Sequence, residues 1–322
     1  MRRPRLVALL LVAAVGCGGS SDSVRYECVA PANPGGGWDL ACRLAARAFT
    51  ELGLVSENVR VTNLPGAGGG RAYVKAATSR SRDTGAFFTA SPATTLNLAQ
   101  GLFGSLDVHD VRWVAAVAAE AGVITVRSDA PWENLADLVA DWRNDPGSVV
   151  VAGGSAVGSQ DHVKVLLLAE AVGVDPRTVR YVPFDGGGEA VAALLGGFVN
   201  LHSGEASEVL PHLESGSARV LSVLSRARLS PPLDHLPTTF EAGIDVEWMT
   251  WRGFYLPGEV SDSVYDDWAE RFTALAGSDH WAEVRAQYRL EPFFMAGSEF
   301  TDYVEEQVGA FLSLAERIGF VR

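Results

Sequence analysis

The sequence predicts an α/β protein of two lobes, each a mainly parallel sheet flanked by helices. The first observation behind this is a recurrence. A short extended run feeds a glycine-rich or polar loop, and the loop opens a helix, at 24–52, 59–80 and 86–99. The same theme returns at 148–172, 178–197 and 198–216. Strand–loop–helix succession is the pattern of a parallel sheet covered by helices. The second observation is length, since 322 residues are long for a single core. The third is composition: 48% apolar and 20% charged residues describe an ordinary globular chain.

In order, VRYECVA is a strand and NPGGGW a loop. Asp39 is placed to cap the helix LACRLAARAFTELG, whose Leu40, Leu44, Ala48 and Leu52 form one apolar stripe. NVRVTNL is a second strand, followed by PGAGGG and the helix RAYVKAATSR. GAFFTA is a buried strand running into SPATTLNLA, a polar loop with a short helix. VRWVAAVAAEAGVITVRS reads as two strands, the second leading away from the first lobe. PWENLADLVADWRNDPG is a capped helix, and three further strand–helix units and the strand ARVLSVLS follow it. The segment 227–244 is punctuated by prolines, VEWMTWRGFYLPG is an aromatic strand crossing back, and 261–322 is largely helical.

The formal net charge is −13, and it becomes −16 without residues 1–16, which hold Arg2, Arg3 and Arg5. Such a surface repels nucleic acid and anionic lipid, and no basic patch offsets it. An anion site here must work through local dipoles at short range. The N-terminus, MRRPRLVALLLVAAVGC, reads as an export signal over 1–16, too short to span a bilayer permanently. AVGC resembles the bacterial lipobox, so Cys17 is expected to carry lipid, with 17–24 as a tether to the membrane. A plain signal peptide with an incidental Cys17 is the alternative. Cys28 and Cys42 then lie in an oxidising compartment, where buried free thiols are expected and a disulfide is the alternative. The histidines show no metal-ligand spacing, and no metal is expected.

Glycine loops before helices serve nucleotide folds, phosphate loops and anion receptors alike. GGSAVGSQ has phosphate-loop glycine spacing but Ser159 in place of the lysine. GAGGGR follows the second strand rather than the first, against a dinucleotide fingerprint. GGSAV fails the serine-hydrolase elbow at its last position, and no triad presents itself. Binding fits better than catalysis: two helix starts aimed at one spot hold a small anion with backbone N–H groups alone.

PANPGGGWDLACR, NLPGAGGG, GGSAVGSQDHV, VPFDGGGEAVAALLGGFVN, SEVLPHLESGSARVLSV and WRGFYLPGEV occur in this order over about 25–320. In these motifs the chain resembles the periplasmic substrate-binding receptors of tripartite tricarboxylate transporters, the Bug family. Trp38 stands where a small residue is often found, and Asp185 where a lysine is common. The resemblance implies a periplasmic-binding-protein clamshell, type II-like, with two interlobe crossings. Lobe one is then 25–125 plus 250–322 and lobe two 126–249. It implies a monomer without cofactor or catalytic residue, holding a small organic carboxylate between the lobes. The carboxylate, a tricarboxylate, dicarboxylate or related acid, is delivered to large and small membrane subunits. An exported sensory receptor, or an enzyme acting on carboxylates or esters on a similar scaffold, is the alternative.

The loops expected at the ligand are 34–39, 65–70 and 91–95 from lobe one, with 154–160, 184–189 and 203–206 from lobe two. Gly35, Gly36, Ala67 and Gly68 are expected as backbone donors, and Gly158, Gly186 and Gly187 share the opposing loops. Ser91, Thr94, Ser155 and Ser159 either donate hydroxyls to the ligand or cap helices. Trp38 either walls the pocket or is a surface ring, and Asp39 belongs to the same loop. His162 reads as structural. Asp185 and Glu205 repel a carboxylate and make sense if they bind an ammonium or hydroxyl group. Arg252 either pairs with the ligand directly or ties the lobes together.

Overall fold

The computed structural model describes residues 25–184 and 186–318; the segment expected to direct export, the expected tether with Cys17, and Asp185 lie outside them. The first apolar run becomes β1 (Glu27–Ala30), and its glycine loop opens α1 (Gly37–Glu51). The succession repeats in β2 (Arg60–Asn63), α2 (Gly70–Ala77), β3 (Ala86–Ala90) and α3 (Pro92–Ala99). After β4 (Arg112–Arg127) come α4 (Leu135–Asn144), β5 (Val150–Gly153), α5 (Gln160–Ala171), β6 (Arg180–Pro183) and α6 (Gly187–Leu195). β7 (Leu201–Glu205), α7 (Ala206–Glu214) and β8 (Ala218–Val223) follow, and β9 (Met249–Leu256) returns to the first lobe. The chain closes with α8 (Asp262–Ala276), α9 (Asp279–Tyr288), β10 (Met295–Ala296) and α10 (Gly297–Ile318).

The strands run β2-β1-β3-β9-β4-β7-β5-β6, with β8 and β10 also on β4. β1 is parallel to β2 and β3, and β5 is parallel to β6 and β7. Between these two parallel blocks lies the antiparallel pair β9–β4. The blocks are the sheets of two lobes, and the long strands join them.

β4 corrects the sequence reading. VRWVAAVAAEAGVITVRS is one strand, not two, buried from Trp113 to Val126. It pairs with β9 through Ala121, then with β7 from Gly122 and β8 from Val123. Gly122 marks the change of partners. A Cβ there would stand 3.1 Å from Leu224 Cδ1 and 3.2 Å from Lys164 Cδ, so the side chains of the second lobe close directly on its backbone.

The helix starts also shift. α1 begins at Gly37 with Gly36 as N-cap, so Asp39 is its third residue and not its cap. The buried stripe becomes Leu44, Ala45, Ala48 and Phe49, while Leu52 sits at the C-cap. Cys28 and Cys42 form a disulfide with Cα atoms 5.7 Å apart, where free thiols were expected. The rotation of α1 that buries Cys42 turns it onto the inward face of β1, where Cys28 is equally buried. α10 reaches beyond its own lobe. Its Phe311 and Leu314 join Leu96 of α3 in one cluster with Trp142, Val163 and Leu168 of the second lobe. Trp248 stacks on Phe311 at 5.5 Å, and Arg317 pairs with Glu170 at 2.8 Å.

Candidate functional site

Between the lobes lies a cleft of about 790 Å³. Its first-lobe wall is built by the loops that open α1, α2 and α3; its second-lobe wall by those that open α5, α6 and α7. Helix starts converge because in a parallel sheet every loop at the C-terminal edge of a strand lies on the same side.

On the first wall, Leu40 is the first residue of α1 to donate within the helix, to the Gly36 carbonyl at 2.9 Å. The N–H groups of Gly37 and Trp38 therefore have no partner inside the helix and stand at its positive end. Asp39 turns away from the cleft. Its carboxylate accepts from Gly35 N at 2.9 Å, Asn63 Nδ2 at 2.8 Å and Arg43 Nε at 2.8 Å. Burial pushes its pKa up, but these hydrogen bonds outweigh burial and hold it below the usual carboxylate range. Asp39 shapes the glycine loop from behind. Trp38 does wall the cleft, donating from Nε1 to Ser91 Oγ at 3.0 Å. Gly68 adopts φ +60°, and its carbonyl accepts from Asn97 Nδ2 at 2.7 Å. Beside it Ala67 holds φ +51°, a conformation that L residues rarely take outside constrained sites.

The four hydroxyls divide. Ser91 Oγ accepts from Ala93 N at 3.3 Å and Thr94 Oγ1 from Ser91 N at 3.4 Å, so both cap α3. Thr94 is buried away from the cleft. Ser155 Oγ accepts from Asp161 N at 3.1 Å and steadies the start of α5. Ser159 lines the cleft, and its hydroxyl has no hydrogen bond among the described residues. Gly158 lies behind the wall. Its N–H donates to His162 Nδ1 at 3.0 Å, and its carbonyl accepts from Gln100 Nε2 of the opposite lobe at 2.6 Å. Gly186 and Gly187 line the cleft at the start of α6.

The floor joins Arg252 and Glu205, which the sequence singled out, to Glu120, Asp161 and Lys164, which it passed over. Arg252 on β9 donates to Glu120 on β4 from Nε at 3.0 Å and Nη2 at 2.5 Å. Ser207 also donates to Glu120. Lys164 is wholly buried, with Nζ 2.9 Å from Asp161 Oδ1 and 2.8 Å from Glu205 Oε1. Thr250 Oγ1 donates to Glu205 at 2.7 Å. Burial raises the Glu205 pKa, yet Lys164, then Arg252 and Thr250, bring it below its ordinary value. Asp161 goes the other way: burial pushes its carboxyl up, and the ammonium that it shares with Glu205 does not compensate. A signal existed. Glu120 is the lone acid in an apolar strand, and Lys164 the lone cation in HVKVLLLAEA. A charge there must have a partner.

His162 packs on Tyr181 with ring centroids 4.4 Å apart, and burial lowers its pKa to about 4. A depressed histidine stabilises the fold above its unfolded pKa near 6.5 and loses that contribution as pH falls through about 4. His162→Gln should therefore cost less at pH 4.5 than at pH 7, by roughly 2–3 kcal/mol. Urea denaturation of both proteins at the two pH values checks this; an equal penalty at both would refute it.

Over residues 44–320 the chain matches the tripartite tricarboxylate transporter family receptor. The chain belongs to that family. BugT of Bordetella pertussis is 30% identical over 221 residues, 67% of this chain and 65% of BugT. A relative from Cupriavidus necator is 23% identical over 215 residues, 67% of this chain and 64% of its own length. The chain thus spans just under two thirds of both relatives. Among solved structures, Rpa4515 of R. palustris with adipate superimposes with a TM-score of 0.80 at 25% identity. That match covers 92% of this chain and 97% of Rpa4515. MatC from Rhodopseudomonas palustris, with bound malate, shares the fold at a TM-score of 0.76 and 20% identity, over 90% of this chain and 98% of MatC. The two-lobed α/β fold expected from the sequence is that of the family's receptors.

Proposed function

We propose that this chain is an exported receptor that encloses a small carboxylate between its lobes and hands it to the membrane subunits of a tripartite carrier. The observation that carries the reading is the pair of walls: loops that open helices face each other across a cleft of about 790 Å³, and α1 presents the unspent N–H groups of Gly37 and Trp38 to it. The adipate of a 25% identical neighbour supports a carboxylate as ligand. The lobes are taken as 25–125 plus 250–322 and 126–249. They move about the points where β4 changes partners, at Gly122, and where β9 begins, at Met249. The ligand's extra affinity for the closed form drives closure, since nothing else can shift the two states. The chain supplies affinity and no chemical step. Cys17 anchors it to the membrane through lipid, and Cys17→Ser is expected to release it.

A thermal-shift screen against mono-, di- and tricarboxylates and amino acids tests the reading. A ligand that binds only the folded state adds about 2.7 kcal/mol at a hundredfold excess over its Kd. A clear rise in Tm with a carboxylate is the expected result. No rise with any carboxylate, for folded and ligand-free protein, would overturn it.

A further inference from the structure

The two walls of the cleft differ in charge. The first-lobe wall has no ionised side chain among the described residues: its polar groups are Asn33, Asn97, Gln100, Ser91 and backbone. The floor and second-lobe wall carry four carboxylates, Glu120, Asp161, Glu205 and Glu208, against two cations, Arg252 and Lys164. That leaves a formal charge of −2.

The helix starts of the second lobe are already occupied by the chain's own acids. Asp161 is the second residue of α5, and Glu205 is the N-cap of α7. Glu208 Oε2 accepts from Glu205 N at 3.1 Å. Its Oε1 lies over the start of α6, where a Cβ on Gly187 would stand only 2.0 Å away. A ligand carboxylate meets these acids at the helix starts of the second lobe. Both cations are already paired within the chain. Arg252 serves Glu120, and Lys164 is shared by Asp161 and Glu205.

Glu208 is the carboxylate left over. Its side chain is 28% exposed, it lines the cleft, and no Lys or Arg among the described residues pairs with it. Its nearest titratable neighbour is His202, wholly buried, whose Nε2 stays 3.5 Å from Oε2 and whose ring nitrogens make no hydrogen bond among the described residues. Gln160 supplies a second acceptor on this wall. Its Nε2 is turned to Glu205 at 3.4 Å, which leaves Oε1 buried and unpartnered among the described residues. An orphaned amide oxygen, and a carboxylate that no Lys or Arg neutralises, leave acceptor capacity beside the cavity for a donor on the ligand.

We propose that the ligand is a zwitterion: its carboxylate docks on the first-lobe wall, and its ammonium group binds Glu208 and the Gln160 carbonyl oxygen. This rests on the receptor reading above and sharpens it. A dicarboxylate would set its second charge against an acidic wall, whereas an amine satisfies both acceptors.

The test is calorimetric binding of matched pairs to the full mature chain: 6-aminohexanoate against adipate, 4-aminobutanoate against succinate, and the α-amino acids of the same lengths. An amino acid should bind at least about tenfold more tightly than its matched diacid. Glu208→Gln keeps an acceptor for the Glu205 N–H and should weaken the amino acid about tenfold or more while the diacid binds as well or better. A diacid that binds more tightly than every amino acid would overturn the zwitterion and leave the receptor standing. An equal loss of both ligand types in the Glu208→Gln variant, folded by circular dichroism, would reduce Glu208 to a structural role and overturn the proposal too. No binding by either class would overturn the receptor reading itself.

Discussion

A Lys164→Met variant is expected to lose on the order of 3–5 kcal/mol of stability, the cost of removing one partner from a buried ion pair. Lys164 has no exposure, and its ammonium lies within 2.9 Å of both Asp161 and Glu205. Without it two buried carboxylates face each other, and one must take up a proton. The variant should therefore regain stability as pH falls from 7 to 5, because its folded state then binds more protons than its unfolded state. Adding Asp161→Asn to Lys164→Met removes one of the two uncompensated charges and should recover part of the loss at pH 7. Urea denaturation of the single and double variants measures all three effects. A midpoint unchanged by Lys164→Met would mean that the ammonium does not hold the floor together.

The second large effect is expected from the Cys28–Cys42 disulfide. It closes a loop between positions 14 apart in sequence, and constraining a loop of that size in the unfolded chain stabilises the fold by about 3 kcal/mol. Cys28→Ser with Cys42→Ser should lower the unfolding free energy measured in urea by that amount, and reduction of the native protein should match it. The loss should reach the cleft as well. The disulfide ties α1 to β1, and the loop between them carries Gly35, Gly36 and Trp38. Affinity for any ligand should fall along with stability, while a ligand in excess should restore part of the midpoint by mass action. Equal midpoints for native and double-serine proteins would refute the assignment of stability to this bond.

Both effects arise where the chain crosses or braces its own cleft. β4 contributes Glu120 to the floor and carries the chain into the second lobe, and β9 contributes Arg252 and Thr250 and carries it back. Part of the floor thus stands on the strands about which the lobes are proposed to move, while Lys164 and Asp161 reach it from α5. Closure must proceed without breaking the Arg252–Glu120 pair, whose members face each other from neighbouring strands.

The sequence by itself determined the class of fold, the succession of strand, glycine loop and helix, and most of the loops that line the cleft. Gly35, Gly36, Trp38, Ala67, Gly68, Ser155, Ser159, Gly187 and Glu205 all stand on its walls, because a glycine or hydroxyl before a helix is a local signal and a parallel sheet puts all such loops on one side. Local signals failed wherever one position has two local readings. VRWVAAVAAEAGVITVRS reads as two strands and is one; Asp39 reads as a cap and is a buried brace; two cysteines on adjacent elements read as thiols and are bonded. What only the tertiary structure decided is which charges share a space. Glu120, Asp161, Lys164, Glu205, Glu208 and Arg252 are scattered over more than a hundred positions of sequence, and electrostatics acts through distance in space. Their sum, and the unpaired Glu208 that it leaves facing the cleft, exists only after β4 and β9 have brought the two lobes together.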